Sequence, residues 1–524
     1  MAGAWWRAPW SKAFRLGRRV EFLTCPISAR RKPLGGYIGA MITDAIAHSA
    51  LEARDARFDG RFFTGVTSTG IYCRCVCPAR LPKPANRRFF PSSAAAEKAG
   101  FRPCLLCRPE RAPGHAPIDR RHKLASEALR LIEAGMLEER GMAGLSAVLG
   151  VSDRHVRRAA LQAFGASPIE LAQTHRLLTA KRLLRETQLP ITEIAFASGF
   201  QSLRRFHALF LQRYRMAPSK VRQRAPRSTH PAVLTLELQA RGAFDAAPWL
   251  SFAAARALPG MEHCAEGRYE RLWRVGGHIG RMAISAQAHG VRLELEDSLA
   301  PAIRPIVAAV RGALDLDCDM QVIDAVLDGA AFLPRGRGLR IAGGLDPFET
   351  AVRAVLGQQV TLAFGRRLAH LFLERFGDGQ EREGPNRLFP TPAQLASADP
   401  QDIARLGMPL KRAETVQKLA AALDEGRLIL ARGGVQAGRD ALARVPGIGP
   451  WTVEYVALRA LSDPDAFPAG DSALAAALGI KGQAETQAKM ASLSPWRGYG
   501  AMRLWHQHAQ EKLMRSPIQK GQPC

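Results

Sequence analysis

Two periods of apolar residues divide the chain. Val233-Leu234-Thr235-Leu236-Glu237-Leu238 and the stretches 280–286 and 291–295 alternate with period two, as strands that bury one face do. Between them, residues 249–257 read as a helix. From Pro301 to Leu513 helices dominate, and residues 346–360 place their apolar side chains at helical spacing. Upstream, residues 117–225 read as a string of helices. Leu145-Ser146-Ala147-Val148-Leu149-Gly150-Val151-Ser152 gives a helix, a glycine turn and an N-cap ahead of a helix over 153–164. The pattern returns at 191–202, ahead of 203–214, and a helix over about 168–189 joins the two units. Residues 225–231, with two prolines and two basic residues, read as a linker. Met41 opens a first helical stretch. Residues 1–40 mix Trp5, Trp6 and Trp10 with arginines, show no clean secretory segment, and are expected to be a disordered extension.

The 524 residues suffice for roughly three or four domains, and a 47% hydrophobic content supplies their cores. No apolar run is long enough to span a bilayer, so no membrane partner is expected. Basic residues number 74 and acidic ones 47, a net charge of +27. An arginine-rich genome accounts for part of this excess, and the rest points to a polyanion, most simply nucleic acid. Five of the nine cysteines, Cys73, Cys75, Cys77, Cys104 and Cys107, share a 35-residue window. Such clustering favours a metal in a reducing compartment over a disulfide scaffold.

Two close cysteine pairs offer four thiolates, which suits tetrahedral zinc better than it suits buried free thiols. Phe58-Asp59-Gly60-Arg61-Phe62-Phe63, Thr69-Gly70-Ile71-Tyr72-Cys73-Arg74-Cys75-Val76-Cys77-Pro78-Ala79-Arg80 and Phe101-Arg102-Pro103-Cys104-Leu105-Leu106-Cys107 together resemble the zinc domain of the Ada DNA-alkylation-response family. The resemblance implies that Cys73, Cys77, Cys104 and Cys107 are zinc ligands. It also implies that Cys73 accepts a methyl group from a methylated phosphate triester. Zinc keeps sulfur deprotonated at neutral pH, and the thiolate is the nucleophile. The family usually has proline between the first two ligands; this chain has Cys75 there, a competitor for metal or methyl. Arg74, Arg80, Arg102 and Arg108 flank the site and are expected to act on phosphate.

The two helix-turn-helix units, ending in Tyr214-Arg215-Met216-Ala217-Pro218-Ser219, look like an AraC-type DNA-binding domain. Arg154, His155, Arg157 and Arg158 on one recognition helix, and Arg204, Arg205 and His207 on the other, could reach phosphates or guanine edges.

Val445-Pro446-Gly447-Ile448-Gly449-Pro450-Trp451-Thr452 is a glycine turn between helical segments, followed by Phe467-Pro468-Ala469-Gly470-Asp471. Gly447 and Gly449 permit positive φ, and the amides opening the next helix suit a phosphate. With Phe244-Asp245, Phe252-Ala253-Ala254-Ala255-Arg256, Asp346-Pro347-Phe348-Glu349 and Ser494-Pro495-Trp496-Arg497-Gly498-Tyr499, this resembles the AlkA-type 3-methyladenine DNA glycosylases of the helix-hairpin-helix superfamily. The resemblance implies Asp471 as catalytic carboxylate, Phe252, Trp451, Tyr455 and Trp496 as base pocket, and Gln359, after Gln358, as filler of the vacated stack. Glu454, Asp463 and Asp465 are expected to cap or solvate a helix end. Strand-cutting relatives carry lysine where Trp451 stands, so a monofunctional enzyme is expected. No cysteine lies between Cys318 and Cys524, which excludes an iron–sulfur cluster there, and no Pro-Cys-His-Arg motif marks an O6-methylguanine methyltransferase domain.

The expected fold is multidomain α+β. It comprises a zinc domain over 41–115, an all-α double helix-turn-helix domain over 116–226, an α+β subdomain over 230–318 and an all-α catalytic domain over 319–512. The expected function is hydrolytic excision of alkylated bases, coupled to a methyl-accepting transcription regulator. Zinc is the expected cofactor, and the expected partners are damaged DNA, promoter DNA and RNA polymerase, in the bacterial cytoplasm. The alternative is a regulator whose glycosylase half only binds DNA.

Overall fold

The computed structural model describes residues 42–113, 123–222, 233–336 and 338–515. The expected extension over 1–40 and the linker at 225–231 lie outside the described residues.

The first segment is a small sheet of order β3-β1-β2-β4, with β1 Phe63–Val66, β2 Ile71–Arg74, β3 Arg87–Phe90 and β4 Arg102–Pro103. Strand β1 pairs antiparallel with β2 and β3, while β4 runs parallel to β2. The Cys104 amide then bonds the Tyr72 carbonyl at 3.0 Å, which brings the second cysteine pair alongside Cys73.

The second segment is helical. Both recognition helices, Asp153–Phe164 and Leu203–Tyr214, start on a serine cap: Ser152 Oγ accepts from the His155 amide and Ser202 Oγ from the Arg205 amide. Their buried faces carry Val156, Ala160 and Phe164, and Phe206, Phe210 and Tyr214, at the i, i+4, i+8 spacing of a core-facing stripe. The joining helix Pro168–Glu186 opens on a capping box between Ser167 and Glu170.

The third segment opens with an antiparallel sheet of order β5-β9-β8-β7-β6. Its strands are β5 Val233–Gln239, β6 Glu262–Ala265, β7 Arg268–Val275, β8 His278–Gln287 and β9 Gly290–Glu296. Leu234, Leu236 and Leu238 face inward, as their alternation requires. The periodic reading found β5, β8 and β9 and missed β6 and β7. In β7 the buried face includes Arg271, neutralised by Glu349 at 2.8 Å, so polarity does not mark the sides. Helices follow to Arg515, interrupted by one short antiparallel pairing of Asp378–Gly379 with Arg387–Leu388.

The segments pack on one another through ion pairs and backbone bonds. Arg304 bonds the Ile132 carbonyl at 2.7 Å and pairs with Glu138 at 2.9 Å. Arg61 pairs with Asp319 and Arg111 with Glu237. Gly434 approaches Val148 so closely that a Cβ there would lie 2.6 Å from its Cγ1, which joins the helix before the hairpin to the first helix-turn-helix unit.

Candidate active site and zinc centre

The hairpin joins Val435–Leu442 to Pro450–Arg459. Ile448 is buried, while Gly447 and Gly449 are exposed. Gly447 has φ +89, and a Cβ there would lie 1.9 Å from Thr415 Oγ1, so conformation and space both demand glycine. Gly449 departs from the expected positive φ. It is extended, at φ −89, and caps the next helix. No atom lies near a Cβ built on it, so the helix opens into free space, with Pro450 in the first turn. Gln358 clamps the facing loop to this turn, its Nε2 donating to Thr452 Oγ1 at 2.9 Å and to the Gly447 carbonyl at 3.3 Å. Beside it Gln359 is exposed and held at φ +55, a left-handed conformation that a non-glycine residue adopts at a cost.

Asp471 caps the helix Ser472–Leu478. Its Oδ1 accepts from the Ala473 and Leu474 amides at 3.0 and 3.1 Å and from Trp505 Nε1 at 3.0 Å; its Oδ2 accepts from Trp451 Nε1 at 3.3 Å. All four donors are neutral, and no described lysine or arginine forms an ion pair with it. The rival carboxylates are engaged elsewhere. Glu454 and Asp463 both pair with Arg439, and Asp465 pairs with Arg497; they also accept the Phe467, Asp465 and Arg497 amides, in keeping with the capping expected.

Trp451 and Tyr455, one helical turn apart, stack at 5.1 Å with planes 21° apart. Trp505 meets Tyr455 edge-on at 6.3 Å. Phe252 lies beneath two guanidinium groups, Arg256 at 3.9 Å and Arg459 at 4.4 Å. Trp496, expected in this pocket, packs instead against Tyr499 at 5.9 Å, and among the described residues no ring pair joins it to Trp451 or Tyr455. Trp505, rather than Trp496, meets both Tyr455 and Asp471. Its signal was an aromatic at the rim of the apolar stripe of the last helix, beside buried Ala501, Met502 and Leu504.

In the first segment the Sγ atoms of Cys73, Cys77, Cys104 and Cys107 all lie within 4.8 Å of one another. Cys73 is the most accessible of the four, the other three being buried. The Arg74 amide donates to Cys107 Sγ and the Leu106 amide to Cys104 Sγ, each at 3.4 Å, bonds that orient thiolates toward a shared centre. Cys75 is turned out of this group. It is fully buried, its Sγ donates to the Asp55 carbonyl at 3.4 Å, and burial pushes its thiol up to about 12. Arg74 does not face phosphate as expected: it is buried, bonds Asp59 and the Cys107 carbonyl, and reaches Gln239 of β5 at 2.9 Å. Arg108 is likewise taken up by Glu110 and Glu186, which leaves Arg80 and Arg102 without a described ion pair. Arg154, Arg157, Arg204 and Arg205 are exposed on the recognition helices.

Four families match successive parts of the chain. Residues 47–110 match the metal binding domain of Ada, 145–224 a helix-turn-helix domain, 235–346 the AlkA N-terminal domain, and 352–494 the HhH-GPD superfamily of base excision DNA repair proteins. Over 474 residues the chain is 36% identical to the probable bifunctional transcriptional activator/DNA repair enzyme AlkA of Mycobacterium tuberculosis, an alignment that covers 87% of this chain and 95% of that protein. The chain belongs to this bifunctional AlkA family. DNA-3-methyladenine glycosylase 2 of Escherichia coli is 34% identical over 268 residues, 50% of this chain and 94% of the relative. The bifunctional transcriptional activator/DNA repair enzyme AdaA of Bacillus subtilis is 32% identical over 185 residues, 35% of this chain and 84% of the relative. The metal of this AlkA-type fusion is zinc. The Ada match spans all four converging cysteines, and an all-sulfur set is one that zinc accepts.

Proposed function

We propose that this AlkA-type fusion hydrolyses the N-glycosyl bond of alkylated purines of the 3-methyladenine class in duplex DNA, with Asp471 as its catalytic carboxylate. The observation that carries this reading is the setting of Asp471: a half-buried carboxylate fixed by four neutral N–H groups, beside stacked rings, with no described lysine or arginine in an ion pair with it. As the base leaves, positive charge builds on the deoxyribose, and a fixed carboxylate stabilises it. The C1′–N bond breaks with its electron pair departing on the base. Water supplies the oxygen that joins C1′, and its proton passes to Asp471 and then to solvent.

The base reaches this site by leaving the stack. Gln359 fills the gap and bonds the orphaned base, while the backbone of Gly447 and Gly449 holds the flanking phosphates. Trp451, Tyr455 and Trp505 receive the purine, each contact with a cationic ring worth about 1–2 kcal/mol. Trp451 cannot form a Schiff base, so the product is an abasic site in an uncut strand.

In the other half Cys73, Cys77, Cys104 and Cys107 would hold the zinc, whose charge would keep their sulfurs as thiolates. Cys73, the accessible one, takes the methyl of a methyl phosphotriester: an S–C bond forms, the O–C bond breaks, and the phosphate leaves as a diester anion. Arg154, Arg157, Arg204 and Arg205 hold promoter DNA, and RNA polymerase is the partner in activation. Incubation with methylated duplex, scoring free base and methyl-cysteine together, tests the whole. Both products are expected. Promoter binding and methyl-cysteine without base release would identify a regulator with an inactive glycosylase half.

A further inference from the structure

Trp451, Tyr455 and Arg459 stand at i, i+4 and i+8 of one helix, hence on one face of it. The row runs from a half-buried mouth at Trp451 to Arg459, which is 3% exposed. The Arg459 guanidinium carbon lies over three rings: Phe252 at 4.4 Å, Trp505 at 4.7 Å and Tyr455 at 5.8 Å. Its Nη1 bonds the Ala342 carbonyl and Met502 Sδ, its Nε is buried without a partner, and no described carboxylate forms an ion pair with it. Burial disfavours the cation there, and the Tyr455 hydroxyl and the Asp471 carboxylate favour it. Arg256, the other guanidinium on Phe252, also has no described carboxylate partner, whereas nearby Arg353 is neutralised by Glu262 and Glu349. The rings on Arg459 include the one whose N–H holds Asp471, so Trp505 carries the guanidinium over its ring and the carboxylate at its N–H edge.

We propose that Arg459 is the positive pole of a field whose negative pole is Asp471, the two charges joined through the rings that receive the base. The inference rests on the role proposed above for Asp471. In N-glycosyl cleavage the base always gains one electron pair and the sugar always becomes more positive. A cationic alkylpurine leaves neutral, and a neutral purine lesion leaves as an anion or takes up a proton. A fixed cation at the base end and a fixed carboxylate at the sugar end favour that displacement for either class. The same cation opposes a positively charged base in the ground state, since the rings that would attract it already hold a cation on the interior side. Arg459 therefore acts through the rings as a positioning residue: it weakens binding of a cationic base and speeds its departure.

The test compares parent, Arg459→Met and Arg459→Lys in single-turnover excision from a duplex carrying 7-methylguanine, a cationic base, and in binding to a duplex carrying hypoxanthine, a neutral one. Arg459→Met should lower the 7-methylguanine rate constant by ~10-fold or more, yet also lower the half-saturating enzyme concentration by ~3-fold, the mark of lost ground-state opposition. Hypoxanthine-duplex affinity should stay within ~2-fold, and Arg459→Lys should lie nearer the parent on both measures. Weaker binding of both duplexes, or a rate loss with unchanged 7-methylguanine half-saturation, would make Arg459 a packing residue and overturn the proposal. If Arg459→Met does not fold, Arg256→Met must show the same split, and its absence overturns the proposal equally. Asp471→Asn, run alongside, separates the two levels: parental excision by that variant removes the site reading itself, whereas its inactivity with no split at Arg459 removes only this inference.

Discussion

Trp505 donates its indole N–H to Asp471 Oδ1 at 3.0 Å, across 34 residues of chain. Trp451 does the same for Oδ2 at 3.3 Å, so the two rings that flank Tyr455 also set the plane of the carboxylate. Ring geometry and carboxylate geometry are therefore one constraint: a base that stacks on these rings meets Asp471 at a fixed angle.

Removing one of those bonds while keeping a ring should show the coupling. Trp505→Phe is expected to slow single-turnover release of 3-methyladenine by ~10-fold, the loss of a bond to a charged group. Trp496→Phe, which alters a ring packed on Tyr499, should leave the rate near parental in the folded fraction. A larger kinetic loss from Trp496 than from Trp505 would restore the original pocket assignment.

The methyl-acceptor reading is decided by position. Mass spectrometry after exposure to methyl-phosphotriester DNA should place one methyl on Cys73, and Cys73→Ser should abolish it. Cys75→Ser should not, because Cys75 lies outside the thiol cluster and its thiol is held protonated by burial. Methylation converts one thiolate of the zinc site to a thioether and removes one negative charge. At ~6 Å from a phosphate that is worth on the order of 1–3 kcal/mol, so promoter affinity should rise by roughly one to two decades. A methyl on Cys75, or equal affinity before and after, contradicts the switch.

Trp451 in the position of a Schiff-base lysine predicts no borohydride-trapped complex with abasic DNA. Electrophoresis showing a trapped covalent species would require a nucleophilic amine that the site does not present.

Glu97 gives a pH prediction. It is 3% exposed and accepts from Tyr72 Oη at 3.1 Å and Thr174 Oγ1 at 2.9 Å, joining the zinc segment to the helix Pro168–Glu186. Burial pushes its carboxyl from 4.5 to about 7. The folded state thus binds the proton more tightly than the unfolded chain. Its contribution is complete below pH 4.5 and is lost as pH rises through about 7. Glu97→Gln should remove this slope and gain on the order of 1–3 kcal/mol over the parent at pH 8. Thermal melts between pH 5 and pH 8 read it directly, and parallel profiles for parent and variant would refute it.

Much of this molecule was legible in its sequence because separate signals agreed. The cysteine spacing, the repeated serine caps and the glycine hairpin each specify local geometry that the fold then uses. What escaped the sequence was the choice among neighbours. Arg74 follows a ligand and reads as a phosphate contact, yet Asp59 and Gln239 bury it. Cys75 shares the parity of Cys73 and Cys77 along the chain, but β2 ends at Arg74, and the turn sends its thiol to the Asp55 carbonyl. Trp496 and Trp505 are nine residues apart, and only the packing of the last helix decides which one reaches Asp471. Strand β7 hid because Arg271 and Glu349 are buried as a pair, which sequence polarity cannot distinguish from exposure.

The most direct test of the account is single-turnover release of 3-methyladenine from methylated duplex by Asp471→Asn, with duplex affinity measured on the same preparation. The substitution removes the charge and keeps the size, while replacing the oxygen that accepts from Trp451 Nε1 by an amide nitrogen. A rate loss of ~10³-fold or more is expected, with duplex affinity of the folded variant near parental. Near-parental release of the base would place the catalytic charge elsewhere and contradict the account.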